Sequence, residues 1–452
     1  MEYNTRSDML AREKIGKLLW KLSTPAIIGM MIHALYNIVD TIFVGRFTGT
    51  LGIGGIAIVF PIQMIIIATG ITIGIGGASV ISRRMGEGDQ EGASLALGNI
   101  VLLSLCCGLI CLVLGLISLN PLLFLFGANE ALLPYSRDYL SIILMGAPMI
   151  VFSMASNSAA RAEGNTKIAM NTMLLGGILN ILLDPIFIVV LGLGVRGAAI
   201  ATVISITVSC LYLIRYFLSG KSELTFRLHY IRFKWDMVRE IFAVGSSEFV
   251  RSVAMSLTSA IFNNTLRSIG GETPIAVFGI MFRVLSLFFM PMIGISQGAQ
   301  PIIGFNFGAK QYDRVRKGLR LANLSATVIA LTGFLIFFVF SEYIFRVFSS
   351  DPELITIGKI ALRIFAVGLP LVGYQHIAIS LFQALGKGRP ALFLTLARQV
   401  LFLIPMVLIL PRFFGLNGVW LSFPVTDVIS FFVTFSMVAY TMRNLHLVKG
   451  KV

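Results

Sequence analysis

Two carboxylates stand in stretches that are otherwise apolar. ALYNIVDTIFVG carries Asp40, and LNILLDPIF carries Asp184. An acid at the centre of a membrane helix costs about 3 kcal/mol by insertion scales, so its presence marks a functional site. Tyr36 and Asn37 precede Asp40 by four and three residues and share its helix face. Asn180 and Asp184 are likewise one turn apart, and Pro185 follows at once. The proline removes the donor that the Ile181 carbonyl would normally meet, and a freed carbonyl beside an acid is a ligand for an ion. Counted from the expected helix ends, Asp40, Asn180, Asp184 and Thr202 fall at similar depth. Two carboxylates, an amide and a hydroxyl make a hard oxygen site, suited to Na+ or to shared protons. Metal binding there is expected to mean Na+ at Asp40, Asn180, Asp184 and Thr202, with no other cofactor.

Other ionisable residues lie within apolar runs. Glu248 and Arg251 are three residues apart and read as an internal ion pair. Asp427 is an available partner for Arg398 on a neighbouring helix. Asn37, Glu248, Arg251, Arg283 and Gln297 are the candidates for lining a substrate cleft. Pro25 invites a kink in the helix that carries Asp40, as Pro185 does in its own.

The elements that hold these residues are membrane helices. The 452 residues are 56% hydrophobic and 13% charged, with a mean hydropathy of +0.88. That profile describes an all-α polytopic membrane protein. Spans are expected at 17–44, 53–82, 93–118, 136–160, 166–191, 196–218, 238–264, 272–303, 316–340, 356–383, 390–411 and 417–441. The second and eighth exceed a flat crossing, which implies tilt or extension past the bilayer. With the N-terminus in the cytoplasm, the outer loops hold only Arg46, Arg137, Arg196, Arg267, Arg346 and Arg412 of the 36 basic residues. That asymmetry places both termini inside. The first apolar run has no small-residue cleavage site and is expected to remain as a helix.

The chain repeats itself. GAPMIVF from Gly146 echoes GLPLVGY from Gly368, AEGNTKIA echoes ALGKGRPA, and GIGGAS from Gly74 echoes GISQGAQ from Gly294. RMGEGDQ and NFGAKQYD, and the stretches at Gly197 and Gly418, match at the same offset of about 220 residues. Six spans separate the copies, so the halves share one orientation and flank a central cleft. The expected division is an N-lobe at 1–218 with the ion site, a cytoplasmic linker at 219–237 and a C-lobe at 238–452. The acids are not repeated, because Asp184 corresponds to Met406 and Asp40 to the region of Phe262–Asn264.

Several functions are excluded. The net charge of +15 is dispersed over short loops, and no soluble basic domain exists to hold nucleic acid. There is no phosphate loop for ATP, no H-E-x-x-H, and no clustered aspartates for Mg2+ and a pyrophosphate. Cys106, Cys107, Cys111 and Cys210 lie in apolar runs without metal-ligand spacing.

The stretches YNIVDTIFVG, GISQGAQPIIGFNFGAK, ARAEGNTKIAMN and NILLDPIFI resemble those of the multidrug and toxic compound extrusion (MATE) transporters, over essentially the whole chain. Tyr36, Asp40, Asn180, Asp184 and Thr202 resemble the N-lobe cation and proton site of the prokaryotic DinF-like branch. The likeness implies twelve helices in two six-helix lobes around a V-shaped cleft, in a prokaryotic plasma membrane. It implies export of small organic, often cationic or amphipathic compounds against inward H+ or Na+, by a protein that suffices as a monomer among membrane lipids. The NorM-like branch uses acids on the seventh and tenth spans. Here the tenth, IALRIFAVGLPLVGYQHIAIS, has none, so a C-lobe coupling site is not expected. A lipid-linked sugar flippase of the wider superfamily is the alternative kept open by Arg251, Arg283, Arg363 and Arg398. A scaffold or membrane enzyme ranks last.

Overall fold

Inside a bilayer every backbone N–H and C=O must find its partner within the protein, and this chain does so with helices. The computed structural model describes residues 5–447, and the side chains at 37, 41 and 228 lie outside the described residues. No strand occurs among them.

A short helix, α1 (Arg6–Arg12), leads into α2 (Ile15–Gly86), which holds the first two crossings. They divide at Gly49, whose φ of 69° suits glycine. Next come α3 (Gln90–Ile117) and the short α4 (Leu119–Leu125). The fourth crossing is a pair, α5 (Leu133–Met145) and α6 (Ala147–Ala162), bent by 53°. α7 (Thr166–Asp184) and α8 (Val195–Leu218) complete the first half. Segment 219–234 contains only a 3-10 turn at Leu228–Tyr230.

The second half repeats the plan. It begins with α9 (Trp235–Gly270), α10 (Thr273–Gly308), α11 (Tyr312–Val339) and the short α12 (Ser341–Phe348). α13 (Pro352–Ala366) and α14 (Leu369–Ala384) form a second bent pair, at 52°. α15 (Gly388–Leu396), a π-helical stretch Ala397–Leu403 and α16 (Ile404–Ile409) make the eleventh crossing. α17 (Pro411–Arg443), broken at Gly415, makes the twelfth. Both bends fall in the repeated GAP and GLP motifs. Pro148 and Pro370 each lack an N–H and crowd the preceding turn, so the helix stops and restarts at a new angle.

Among the described residues nine helices are long and apolar enough to cross a membrane, and eleven crossings result when each bent pair counts as one. The twelfth is α9. Its 36 residues rise about 54 Å. It is more polar than the rest because Glu248 and Arg251 sit midway along it. The protein is thus an all-α membrane protein of twelve transmembrane helices in two pseudo-symmetric six-helix lobes around a V-shaped cleft.

The point of the V is at the end carrying both termini. There Arg83 of α2 meets Glu240 of α9 at 2.7 Å, and the Ser79 hydroxyl donates to the Gln383 carbonyl at 2.5 Å. Arg314 and Asn306 donate to the carbonyls of Leu10 and Glu13 at 2.9–3.2 Å. The repeated glycines allow the lobes to close. A Cβ on Gly76 would lie 1.9 Å from the Ile241 carbonyl oxygen, and one on Gly298 would lie 2.3 Å from the Ser23 hydroxyl. A second apolar core, confined to the C-half, surrounds the fully buried Trp420, Phe262 and Phe345.

The chain keeps helical dihedral angles through Pro25, and within α2 only Gly49 departs from them. A proline inside a helix removes one backbone bond, and bends commonly fall there. At Pro185 the ladder widens into a π-helical segment, Pro185–Val190, closed by the Leu191 N–H on the Ile186 carbonyl at 2.9 Å. The lost donor is absorbed by shifting to i→i−5 pairing.

Candidate functional site

The helix end at Asp184 and the first crossing meet inside the N-half. Asp184 is fully buried at the last turn of α7. The Asp40 carboxyl of α2 lies near it, within electrostatic reach. The Asn180 amide, one turn back, donates to Asp184 Oδ1 and to the Thr202 hydroxyl of α8, both at 3.4 Å. Three acceptors of this cluster remain without a donor: Asp40 Oδ1, Asn180 Oδ1 and Asp184 Oδ2. Tyr36 packs over the face of α7 at Gly177 and meets the His33 ring edge-on at 4.9 Å. The structure therefore brings together Tyr36, Asp40, Asn180, Asp184 and Thr202 from three helices.

Tyr139 of α5 was not singled out from the sequence. It is 3% exposed and lies in the electrostatic reach of Asp40, Asp184 and Tyr36. No sequence signal separates it from the other aromatic residues of its apolar run. Buried acceptors converging without donors form a receptor for a proton or a cation. Among the described residues no group of three or more His, Cys, Asp or Glu could hold a metal.

The other candidates lie elsewhere. Asn37 shares α2 with Asp40, but its side chain is outside the described residues. Arg251 grips Glu248 through Nε and Nη2 at 2.8 and 2.6 Å. Gln383 of α14 donates to the second Glu248 oxygen at 3.0 Å and to the Ser247 hydroxyl at 3.1 Å. Arg398 reaches across to Asp427 Oδ1 at 2.8 Å. Both arginines line a cavity of about 320 Å³ within the C-half, which holds neither Arg283 nor Gln297. Arg283 is exposed on α10 and Gln297 is half-buried. Arg363 bonds the Phe338 carbonyl at 3.0 Å and stacks on that ring.

Two like-oriented helical lobes, joined at one end and enclosing buried polar clusters at membrane depth, define a membrane transporter.

Comparison with known proteins identifies which transporter class this is. The MatE family model matches residues 25–186 and 249–409, and the chain belongs to that family, the MATE transporters. It is 30% identical over 430 residues to the multidrug export protein MepA of Staphylococcus haemolyticus, covering 95% of this chain and 94% of that protein. MepA of Staphylococcus aureus is 27% identical over 408 residues, 90% of each chain. Among solved structures, MATE in the straight conformation superposes with a TM-score of 0.93 at 29% identity, covering 99% of this chain and all of that one. An outward-facing multidrug resistance MATE transporter of the MOP superfamily superposes with 0.93 at 28% identity, covering 98% of this chain and 100% of that one.

Proposed function

We propose that this protein is a secondary active exporter of amphipathic or cationic organic compounds, driven by inward protons acting on the Asp40–Asp184 pair. The observation that carries this reading is the convergence of the Asp40 and Asp184 carboxyl groups, with unpartnered oxygens, in one buried cluster with Asn180 and Thr202. Bare like charges close together in a low-dielectric site repel strongly, so the pair favours holding a proton. Release of that proton separates the helices bearing the acids, and a cation-driven change of this kind biases one lobe arrangement over another. The N-lobe spans 1–218, the C-lobe 238–452, and the segment between them links the lobes on the cytoplasmic side. The membrane is a prokaryotic plasma membrane, both termini face the cytoplasm, and the cleft opens outward. The working unit is a monomer.

Na+ is the second reading, favoured by the three acceptor oxygens that lack donors. A lipid-linked sugar flippase is disfavoured because Arg251 and Arg398 are each paired with a carboxylate, which leaves too little net positive charge to offset a multiply charged pyrophosphate.

Proteoliposomes loaded with a fluorescent organic cation test both ions. A proton gradient alone is expected to drive efflux in the wild type, and Asp40→Asn or Asp184→Asn is expected to abolish it while the protein stays folded. Efflux driven by a Na+ gradient alone would transfer the site to Na+. Undiminished transport by both variants would remove the pair from coupling altogether.

A further inference from the structure

The C-half cavity has a chemistry opposite to the acidic cluster of the N-half. Its walls come from α9, α10, α13, α14, α15, α17 and the π-helical stretch Ala397–Leu403. Four methionines and six phenylalanines make up ten of its 24 lining residues. The rings are organised as a slab. Phe262 stacks on Phe278 at an interplanar angle of 7° and on Phe423 at 28°. Flat rings beside flexible thioethers suit an aromatic ligand of variable outline. The volume of about 320 Å³ falls at the lower end of small-molecule sites, which span roughly 300–1,000 Å³.

The polar end of this slot carries two guanidinium groups. Arg251 and Arg398 line it beside the His376 ring, whereas Glu248 and Asp427 do not. Each carboxylate stands behind its arginine. Arg251 spends Nε and Nη2 on Glu248 Oε2, and its Nη1 faces only the Met255 sulfur at 3.8 Å. Glu248 is further occupied by Gln383. Arg398 directs Nε and Nη2 to one oxygen of Asp427, at 2.9 and 2.8 Å. The other Asp427 oxygen lies against the backbone of Gly368, at the bend between α13 and α14. The lining therefore presents both guanidiniums and neither carboxylate, and Arg251 Nη1, which has only a sulfur partner, is still able to donate to oxygen. Gln375 supplies a complementary acceptor. It is 3% exposed, its amide donates to the Asp427 carbonyl at 2.8 Å, and its Oε1 has no partner.

We infer that this cavity binds an amphipathic aromatic acid. The ring system fills the phenylalanine and methionine slab, the carboxylate takes the free donors of Arg251 and Arg398, and an O–H or N–H on the ligand meets Gln375 Oε1. The tethered acids keep the arginines from being bare charges and leave them preorganised for a planar anion. The site shares no residue with the Asp40–Asp184 cluster. The inference rests on the exporter reading only in making the bound acid a substrate class; the binding itself stands apart from it.

The test is equilibrium dialysis of radiolabelled 2-naphthylacetate, 2-naphthylacetamide and 2-naphthylethylamine against the protein in nanodiscs, with empty nanodiscs subtracted. The acid is expected to bind about tenfold or more tighter than the amide, the discrimination that a charge-assisted hydrogen bond gives. Met255→Trp, which fills the slot, is expected to abolish binding of both. The double variant R398Q/D427N keeps the pairing neutral, and it is expected to lose the preference for the acid. Equal binding of acid and amide, preference for the amine, or acid binding unaltered by Met255→Trp would each overturn the inference. Should the double variant not fold, Met255→Trp and the ligand series still decide. Gradient-driven efflux of an organic cation is measured on the same preparations. Efflux without acid-selective binding defeats this inference alone, and acid-selective binding without efflux defeats the exporter reading alone.

Discussion

Asp40 and Asp184 arrive from the first and fifth crossings, yet their carboxyl groups come within electrostatic reach of each other, and the amide of Asn180 donates to Asp184 at 3.4 Å. Asn180 thus carries more of the cluster than Thr202, which only accepts from it. Asn180→Leu leaves a buried carboxylate oxygen without its donor and is expected to lower stability by about 1–3 kcal/mol, along with a large loss of gradient-driven efflux. Thr202→Val removes one long hydrogen bond and is expected to cost less than half as much. Thermal unfolding in detergent, beside proteoliposome efflux, checks the ranking. A Thr202→Val variant worse than Asn180→Leu contradicts it.

The pair Arg398–Asp427 ties the π-helical stretch to α17. Asp427 is 1% exposed, so removing its partner strands a charge. Arg398→Ala is expected to destabilise by about 3–5 kcal/mol, whereas replacing both residues by leucine recovers most of that loss. The measurement is a double-mutant cycle on the unfolding midpoint. Additive effects of the two single leucine substitutions would show that the ion pair is not a unit.

Much of this architecture is legible in the residues. The Gly146 and Gly368 motifs are legible as a repeat but not as the bends found there, and the common depth of Asp40 and Asp184 follows from helices of known rise. Glu248 and Arg251 meet because three residues on a helix bring side chains to one face. The C-half cavity was not legible. Its lining comes from seven elements, and a phenylalanine facing a void has the same local pattern as one facing lipid. Pro25 and Pro185 show another limit. The sequence marks a missing donor, but surrounding helices decide how the ladder absorbs it: the dihedral angles stay helical through Pro25, and the ladder widens after Pro185. The turn between the two crossings of α2 falls at Gly49.

The N-terminal helix is held by a buried hub outside the membrane spans. Glu163 accepts from the Tyr216 hydroxyl, from the Ser222 hydroxyl at 2.8 Å and from the Glu223 N–H at 2.9 Å, with Arg6 at 3.4 Å. Burial pushes its carboxyl above the ordinary 4.5, against the downward pull of Arg6 and these donors. A carboxyl raised in the folded state binds its proton more tightly than in the unfolded chain. Its contribution to stability is full below 4.5 and is lost as pH rises through the folded value. Glu163→Gln is expected to flatten that part of the pH profile of the unfolding midpoint. An unchanged slope would show that Glu163 does not carry it.

Gly76 and Gly298 hold corresponding places in the two halves, and each lets the opposite lobe approach too closely for a side chain. Gly76→Ala would drive a methyl into the Ile241 carbonyl, and Gly298→Ala would drive one into Ser23. Overpacking of this kind costs about 1–3 kcal/mol. The cost falls only on the arrangement in which the lobes are sealed at the end carrying the termini. Either substitution is therefore expected to shift the population away from that arrangement by about one to two orders of magnitude. Gly279 has open space around its Cβ position, so Gly279→Ala serves as the control. Spin labels on Leu193→Cys and Glu272→Cys, in a background lacking the native cysteines, report the separation of the lobes at the far end. The glycine variants are expected to enrich the shorter distances while the control retains the wild-type distribution. Identical distributions in all three would mean that the seam tolerates a methyl, and the repeated glycines would then serve chain folding and not the choice between lobe arrangements.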